Sequence, residues 1–238
     1  MPQIFTLKHL VLGVLFAITL SLASSTARAD GVVLNGPIGD GGTGFGTILT
    51  ILSLHNTPTE AGGVGWNGSA DFATGATTGD VVLGAPHSQT YTFAQLSALG
   101  FNSGNLNLVY NVNETGADPN TVLSTLTLKV YNANGTVAYT STTCVGCGGN
   151  FPAYEQGQGN SGYLFTLDAA AQAALNAFFV GCPTCHLGLD SSITGSDDGA
   201  EDFYIVRSDT AVPEPASMFL LGTGLIGVAG AVRRRFRK

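Results

Sequence analysis

Four cysteines fall in two Cys-x-x-Cys pairs, Cys144-Val-Gly-Cys147 and Cys182-Pro-Thr-Cys185, and His186 follows the second at once. Thiols at that spacing can close a disulfide, hold zinc as thiolates, carry haem through thioethers or exchange disulfides. Disulfides are the first reading, because the chain carries export features and exported thiols are oxidised. Four cysteines allow three connectivities, so local closure and cross-linking between pairs both stay open. A cross-link would fasten the Gly-rich stretch 146–162 to the end of the Ala-rich stretch 169–180, a contribution of roughly 3 kcal/mol. Zinc is the second reading. Haem c is the third, with His186 as axial ligand. Met1 and Met218 are the only methionines, so a second axial ligand falls to His55 or His87. Thiol exchange is the fourth, and no βαβ pattern surrounds Cys182-Pro-Thr-Cys185 to support it.

Acidic residues offer a second chemistry. Residues 190–201 place Asp190, Ser192, Thr194, Gly195, Asp198 and Glu201 at the first, third, fifth, sixth, ninth and twelfth places of a calcium loop. Calcium wants such converging oxygens, a glycine to turn and a last carboxylate that binds through both oxygens. Asp197 occupies a place where an apolar residue packs, and no helical pattern flanks the loop, so this is not an EF-hand. A looser calcium site would use Asp197, Asp198, Glu201 and Asp202. The plainer reading is a solvated acidic turn between two strands.

Catalytic sets are thin. Gly159-Asn160-Ser161-Gly162 has a serine between glycines, but no pattern supplies its acid and base partners. Asp40-Gly-Gly-Thr-Gly-Phe-Gly46 leads into a strand rather than a helix, so it is no phosphate cradle. Trp66 with Asn67-Gly68 offers a sugar platform or, more plainly, a core aromatic. The expectation is a non-enzyme with no resident cofactor, calcium being the one candidate and zinc and haem the weaker ones.

The elements that must position these residues are strands. In 105–112, Leu106, Leu108, Tyr110 and Val112 alternate with mostly Asn, the period of a half-buried strand. The same period runs through 122–131. Asn132-Ala133-Asn134-Gly135 then turns the chain, and 136–141 returns as a hairpin. Further strands are expected at 46–54, 80–83, 89–93, 162–167, 186–193 and 202–206. Asp168 suits the N-cap of a helix over 169–180, and Gly181 suits its stop. A short helical turn fits 93–99. The predicted fold is mainly β, an antiparallel β-sandwich or jelly roll with one short Ala-rich helix.

Charge is uneven along the chain. Between residues 30 and 211 lie fifteen of the sixteen acids but only two cations, Lys129 and Arg207, a formal charge of −13. Nucleic acid is excluded as a partner, because phosphate binding draws on Lys and Arg. Solubility outside the cell, or divalent cations, suits that charge.

Both ends differ from the middle. Residues 1–29 carry Lys8, an apolar run over 10–22 and Ala27-Arg28-Ala29, which together read as a secretory signal peptide cleaved after Ala29. Residues 30–211 then form the exported domain. At the other end stand Val212-Pro213-Glu214-Pro215-Ala216-Ser217, an uncharged run to Val232, and Arg233-Arg234-Arg235-Phe236-Arg237-Lys238. The two prolines fix φ, remove amide donors and hold the strip extended for a processing enzyme. As a helix, 216–232 would span about 25 Å, close to a hydrocarbon core of about 30 Å. The five basic residues after it would stay on the cytoplasmic side.

Those three parts in that order resemble the PEP-CTERM sorting signal of exosortase-bearing Gram-negative bacteria, over residues 212–238. The resemblance implies recognition at Pro213, Glu214, Pro215 and Ala216, with Arg233, Arg234 and Arg235 as the basic stop. It implies export machinery and an exosortase as partners, a transient stay in the inner membrane, and delivery to the cell surface or extracellular matrix. The expected role is structural or adhesive, associated with exopolysaccharide or biofilm. The alternatives are a calcium-assisted carbohydrate-binding module and a haem or thiol redox protein.

Overall fold

The protein is seen here as a computed structural model that describes residues 31–38, 48–75, 78–114, 120–154, 161–197 and 199–208. The signal peptide and the sorting tail expected at 1–29 and 212–238 lie outside these residues. Among the described residues twelve strands run in chain order: β1 (Val32–Pro37), β2 (Ile48–Leu54), β3 (Thr59–Trp66), β4 (Asp71–Thr74), β5 (Tyr91–Thr92), β6 (Leu106–Val112), β7 (Asn120–Tyr131), β8 (Val137–Thr140), β9 (Asn150–Pro152), β10 (Ser161–Leu167), β11 (His186–Thr194) and β12 (Glu201–Arg207). Helix α1 (Phe93–Ala98) precedes β6, and helix α2 (Ala169–Gly181) precedes β11.

The strands form two antiparallel sheets. The first has the order β1-β10-β6-β12-β2, so no strand in it pairs with its sequence neighbour. The second has the order β4-β3-β11-β7-β8, with β5 continuing along β11 and β9 along β7. The predicted hairpin is β7–β8. Gly135 closes its turn at φ 87°, where any side chain would be strained. A Cβ there would also strike the Asn67 carbonyl carbon at 2.3 Å.

The two sheets share one interior. Leu108, Tyr110, Phe165, Phe203 and Ile205 from the first meet Val64, Leu126, Leu128, Leu187 and Leu189 from the second. Aromatic rings fill its middle. Tyr110 stacks on Phe203 with centroids 4.9 Å apart, and Phe151 meets Tyr163 edge-on at 4.9 Å. Such pairs add to the area that each ring buries.

The N-cap of α2 matches the sequence reading, while Gly181 is the last residue of the helix and Cys182 its C-cap. Asp168 Oδ1 accepts from the amides of Ala170 (3.0 Å) and Ala171 (2.8 Å), while its Oδ2 accepts from Gly31 at 3.2 Å. One carboxylate therefore starts α2 and pins the entry to β1. Leu175 is buried, and Phe178 and Phe179 close around Phe93 at 5.7 and 4.8 Å. Among the described residues no helix is long and apolar enough to cross a membrane.

Several expectations need correction. The strand expected at 80–83 is a 3-10 turn over Thr78–Asp80 followed by isolated bridges at Val81 and Leu83. The strand at 89–93 shrinks to Tyr91–Thr92, because Thr92 caps α1 with a reciprocal bond to Gln95. Four strands escaped the sequence reading: β1, β3, β4 and β9. In β3, Thr-Glu-Ala-Gly-Gly-Val-Gly-Trp carries no run of large apolar residues to mark a strand, and its glycines serve close packing. A Cβ on Gly63 would meet Asp190 Oδ1 at 2.0 Å, and one on Gly65 would meet the Tyr131 hydroxyl at 2.6 Å. The asparagines of β6 were expected to face water, but Asn107 and Asn111 are only 6% and 1% exposed. A central strand between β10 and β12 has both faces screened by its neighbours.

These contacts order two substitutions. Phe151→Ala should cost about 3–5 kcal/mol in urea unfolding, because it empties the space between Tyr110, Tyr163 and Phe165. Asp168→Ala should cost about 1 kcal/mol, the value of a lost helix cap. A larger loss for Asp168→Ala than for Phe151→Ala would contradict this account of the interior.

Candidate functional site

Glutamate is scarce in the exported domain, at Glu60, Glu114, Glu155 and Glu201 only. Three of the four meet at one end of the sandwich. Glu60 is the second residue of β3, Glu114 follows β6, and Glu201 opens β12. All three are buried, at 0, 1 and 0% exposure. They arrive from both sheets, since β3 belongs to the second and β6 and β12 to the first.

Ser196 sits among them. Its Oγ lies 3.0 Å from Glu60 Oε1, 3.0 Å from Glu201 Oε2 and 3.3 Å from the Asn56 carbonyl. A hydroxyl has one hydrogen to give. Satisfying both carboxyl oxygens through Ser196 therefore takes a proton on at least one carboxyl. Glu60 Oε1 also accepts from the Asn56 amide at 3.0 Å. Glu114 accepts from the Asp197 amide at 3.1 and 3.0 Å through its two oxygens. Glu201 stands within hydrogen-bonding reach of both Glu60 and Glu114. Apart from the neighbouring carboxyls, Glu60 Oε2 and Glu201 Oε1 have no hydrogen-bond partner.

The electrostatics follow from that setting. Burial, with Glu114 and Glu60 beside it, pushes the Glu201 carboxyl up to about 11. Burial also raises Glu60, against the pull of its hydrogen bonds and of His55. Tyr110 lies next inward, and burial with the nearby Glu201 lifts its phenol well above the ordinary value. The domain's two cations are engaged elsewhere: Lys129 pairs with Asp190, and Arg207 donates to the Leu99 carbonyl at 3.2 Å. Asp80 flanks the cluster, accepting from Asn56 Nδ2 at 2.8 Å and from the Ala61 amide at 3.0 Å. Among the described residues no three Asp, Glu, His or Cys side chains converge as ready metal ligands.

The acids expected to form a loose calcium site do not gather. Asp197 is exposed and contributes its backbone amide to Glu114. Asp198 lies outside the described residues. Glu201 and Asp202 are successive on β12, so they face opposite sides of the sheet. Asp202 accepts from Ser53 Oγ and from the Tyr204 hydroxyl, away from the cluster. Only Glu201 of the four joins it. Glu60 and Glu114 were missed, because residues 54 and 87 positions apart share no local pattern, and Ser196 was passed over within the stretch 190–201. The one legible signal was a lone glutamate inside a Gly-rich strand.

The cysteines close locally, Cys144 with Cys147 and Cys182 with Cys185, with Cα atoms 5.6 and 5.3 Å apart. Among the described residues none is free. The cross-link between pairs is therefore not formed, and sulfurs paired this way are not thiolates. The second pair instead fixes the turn between α2 and β11. There the amides of Phe93 and Ala94 donate to the carbonyls of Cys185 and Pro183.

His186 forms a second polar group at the far end of β11. Its Nδ1 lies 2.8 Å from Thr90 Oγ1, which in turn meets Asp71. Trp66 stacks flat on the imidazole, with centroids 3.9 Å apart, and donates to the Ala133 carbonyl. One face of the tryptophan is thus already covered. Burial draws the His186 imidazole below its usual range, with Asp71 opposing. His55 and His87 are exposed and stand apart from it.

Folding favours the neutral form of Glu201, whose ordinary value is 4.5. Its contribution is full below that value and is lost as pH climbs toward about 11. Chelator-treated protein should therefore melt at progressively lower temperature between about pH 5 and pH 9. Glu201→Gln, which keeps the neutral shape, should flatten most of that slope. An equally steep slope in the variant would refute the assignment.

Comparison with known proteins places one segment. Neither a curated protein nor a solved structure matches the chain. Residues 211–235 match the PEP-CTERM protein-sorting motif, and the chain thus ends in a sorting signal of the kind that an exosortase processes.

Proposed function

We propose that this chain is a non-enzymatic cargo of the exosortase pathway, delivered to the cell surface or extracellular matrix as a disulfide-closed β-sandwich. The observation that carries this reading is the sorting motif at 211–235 joined to an acidic, cysteine-paired β-domain. The signal peptide at 1–29 starts export, and the apolar run with its basic stop holds the chain in the inner membrane until cleavage near Pro213-Glu214-Pro215. The mature sandwich then serves a structural or adhesive role among exopolysaccharide. Its surplus of acids, with only Lys129 and Arg207 as cations, keeps it soluble outside the cell.

Intact-mass analysis of the secreted protein, from an exosortase-bearing host, tests the reading. The expected product starts near residue 30 and ends near residue 213. Replacing Pro213 and Pro215 by Ala should leave an unprocessed chain in the inner-membrane fraction. A full-length, cytoplasmic product in that host would overturn the proposal. Retention of the purified protein on the host's exopolysaccharide, with and without chelator, separates a matrix role from a calcium-assisted carbohydrate-binding module. Retention lost only with chelator favours the module.

A further inference from the structure

We propose that Glu60, Glu114 and Glu201 are the ligands of a divalent-cation site, calcium by its chemistry, that ties the two sheets together at one end of the sandwich. The inference stands apart from the proposed surface role and does not need it. It rests on the position of the three carboxyls and on two oxygens that the protein leaves without a partner.

Three carboxyl groups are withdrawn from water at one place. Burying an unpaired charge costs several kcal/mol, so such groups are paired, metal-bound or held neutral. Among the described residues no Lys or Arg pairs with them: Lys129 pairs with Asp190, and Arg207 donates to the Leu99 carbonyl. Hydrogen bonds account for Glu60 Oε1, Glu201 Oε2 and both oxygens of Glu114. Glu60 Oε2 and Glu201 Oε1 remain, fully buried and unmatched. Ionised carboxylates leave such oxygens for a cation, and an ion of charge two would offset most of the cluster's charge.

The donor set selects the ion. Every group in the cluster offers oxygen and none offers sulfur, and the one nearby imidazole, His55, is exposed. Hard oxygen donors suit calcium or magnesium rather than zinc or copper. Calcium tolerates irregular geometry and bidentate carboxylates, whereas magnesium demands a near-ideal octahedron. The three glutamates come from separate strand ends, which favours the more tolerant ion.

The three carboxyls meet at one place but form no ready ligand set among the described residues. Like charges in one buried site repel, so the carboxyls hold protons and take Ser196 between them. An ion entering between Glu60 and Glu201 displaces those protons. Glu114 then needs only to turn one oxygen from the Asp197 amide toward the ion. The outcome is a bond between β3 of the second sheet and the ends of β6 and β12 in the first.

Calorimetry and thermal unfolding of the EDTA-stripped full chain, titrated with calcium chloride near neutral pH, test the site, with magnesium chloride in parallel. The expected result is one calcium per chain, a rise in unfolding temperature, and weaker binding of magnesium. Glu60→Gln and Glu201→Gln preserve shape and remove charge, so they should fold while losing affinity by at least about tenfold. Asp197→Asn and Asp202→Asn, which lie outside the cluster, should bind as the parent does. No heat and no thermal shift at millimolar calcium would overturn the proposal. So would calcium binding that survives both Gln variants or is lost with Asp197→Asn or Asp202→Asn.

Discussion

The burial of β6 on both faces is the constraint from which the rest of the structure follows. All seven of its residues are buried, and it lies at the centre of the first sheet between β10 and β12. None of the first sheet's pairings is local, so that sheet cannot form until distant segments have come together. The hydrophobic interior drives that assembly, because long-range strand pairing must offset the entropy of closing large loops. Tyr110 marks the middle of the arrangement. Its ring stacks on Phe203 and meets Phe151 edge-on, and its hydroxyl lies 2.7 Å from Thr121 Oγ1 across the sandwich.

The acidic end is the counterpart of that apolar centre. A domain with fifteen acids and two cations cannot neutralise buried carboxylates with its own side chains. It uses protons, a serine hydroxyl and backbone amides instead, and two oxygens are left over. The same scarcity of Lys and Arg that keeps the surface acidic therefore makes the buried end responsive to its surroundings. Asp190 shows the contrast. It takes Lys129 and the Thr74 hydroxyl on the outer side of the second sheet, where a partly exposed pair carries little penalty.

The opposite end is built differently. There the Cys182–Cys185 bridge, the α1 and α2 caps and the stacked Trp66–His186 pair form a dense collar around the start of β11. Local closure suits this role, since a short loop restrains one turn rather than joining distant elements. It also leaves the sheets to be held by their interior alone along most of their length. His186 is drawn into this collar, with Thr90 and Asp71 fixing its ring.

Much of this was legible in the residues. Alternation announced β6 and β7, the expected strands at 46–54, 162–167, 186–193 and 202–206 became β2, β10, β11 and β12, Asn132 to Gly135 announced the hairpin, and Asp168 and Gly181 bounded α2 within a residue. The sorting motif was legible, because its parts act through linear order. What failed to show was whatever depends on partners far along the chain. The strand β3 went unassigned because its glycines serve the close approach of Asp190 and Tyr131. The cysteine pairing stayed undecided because spacing permits more than one closure. The acids that looked like a calcium loop were neighbours in sequence, and strand geometry sends Glu201 and Asp202 to opposite faces. Sequence alone thus determined the destination, the β character and the acidity, since each rests on local order or composition. Only tertiary structure decided which strands are neighbours and which glutamates meet, because long-range pairing places Glu60, Glu114 and Glu201 in one buried pocket of charge.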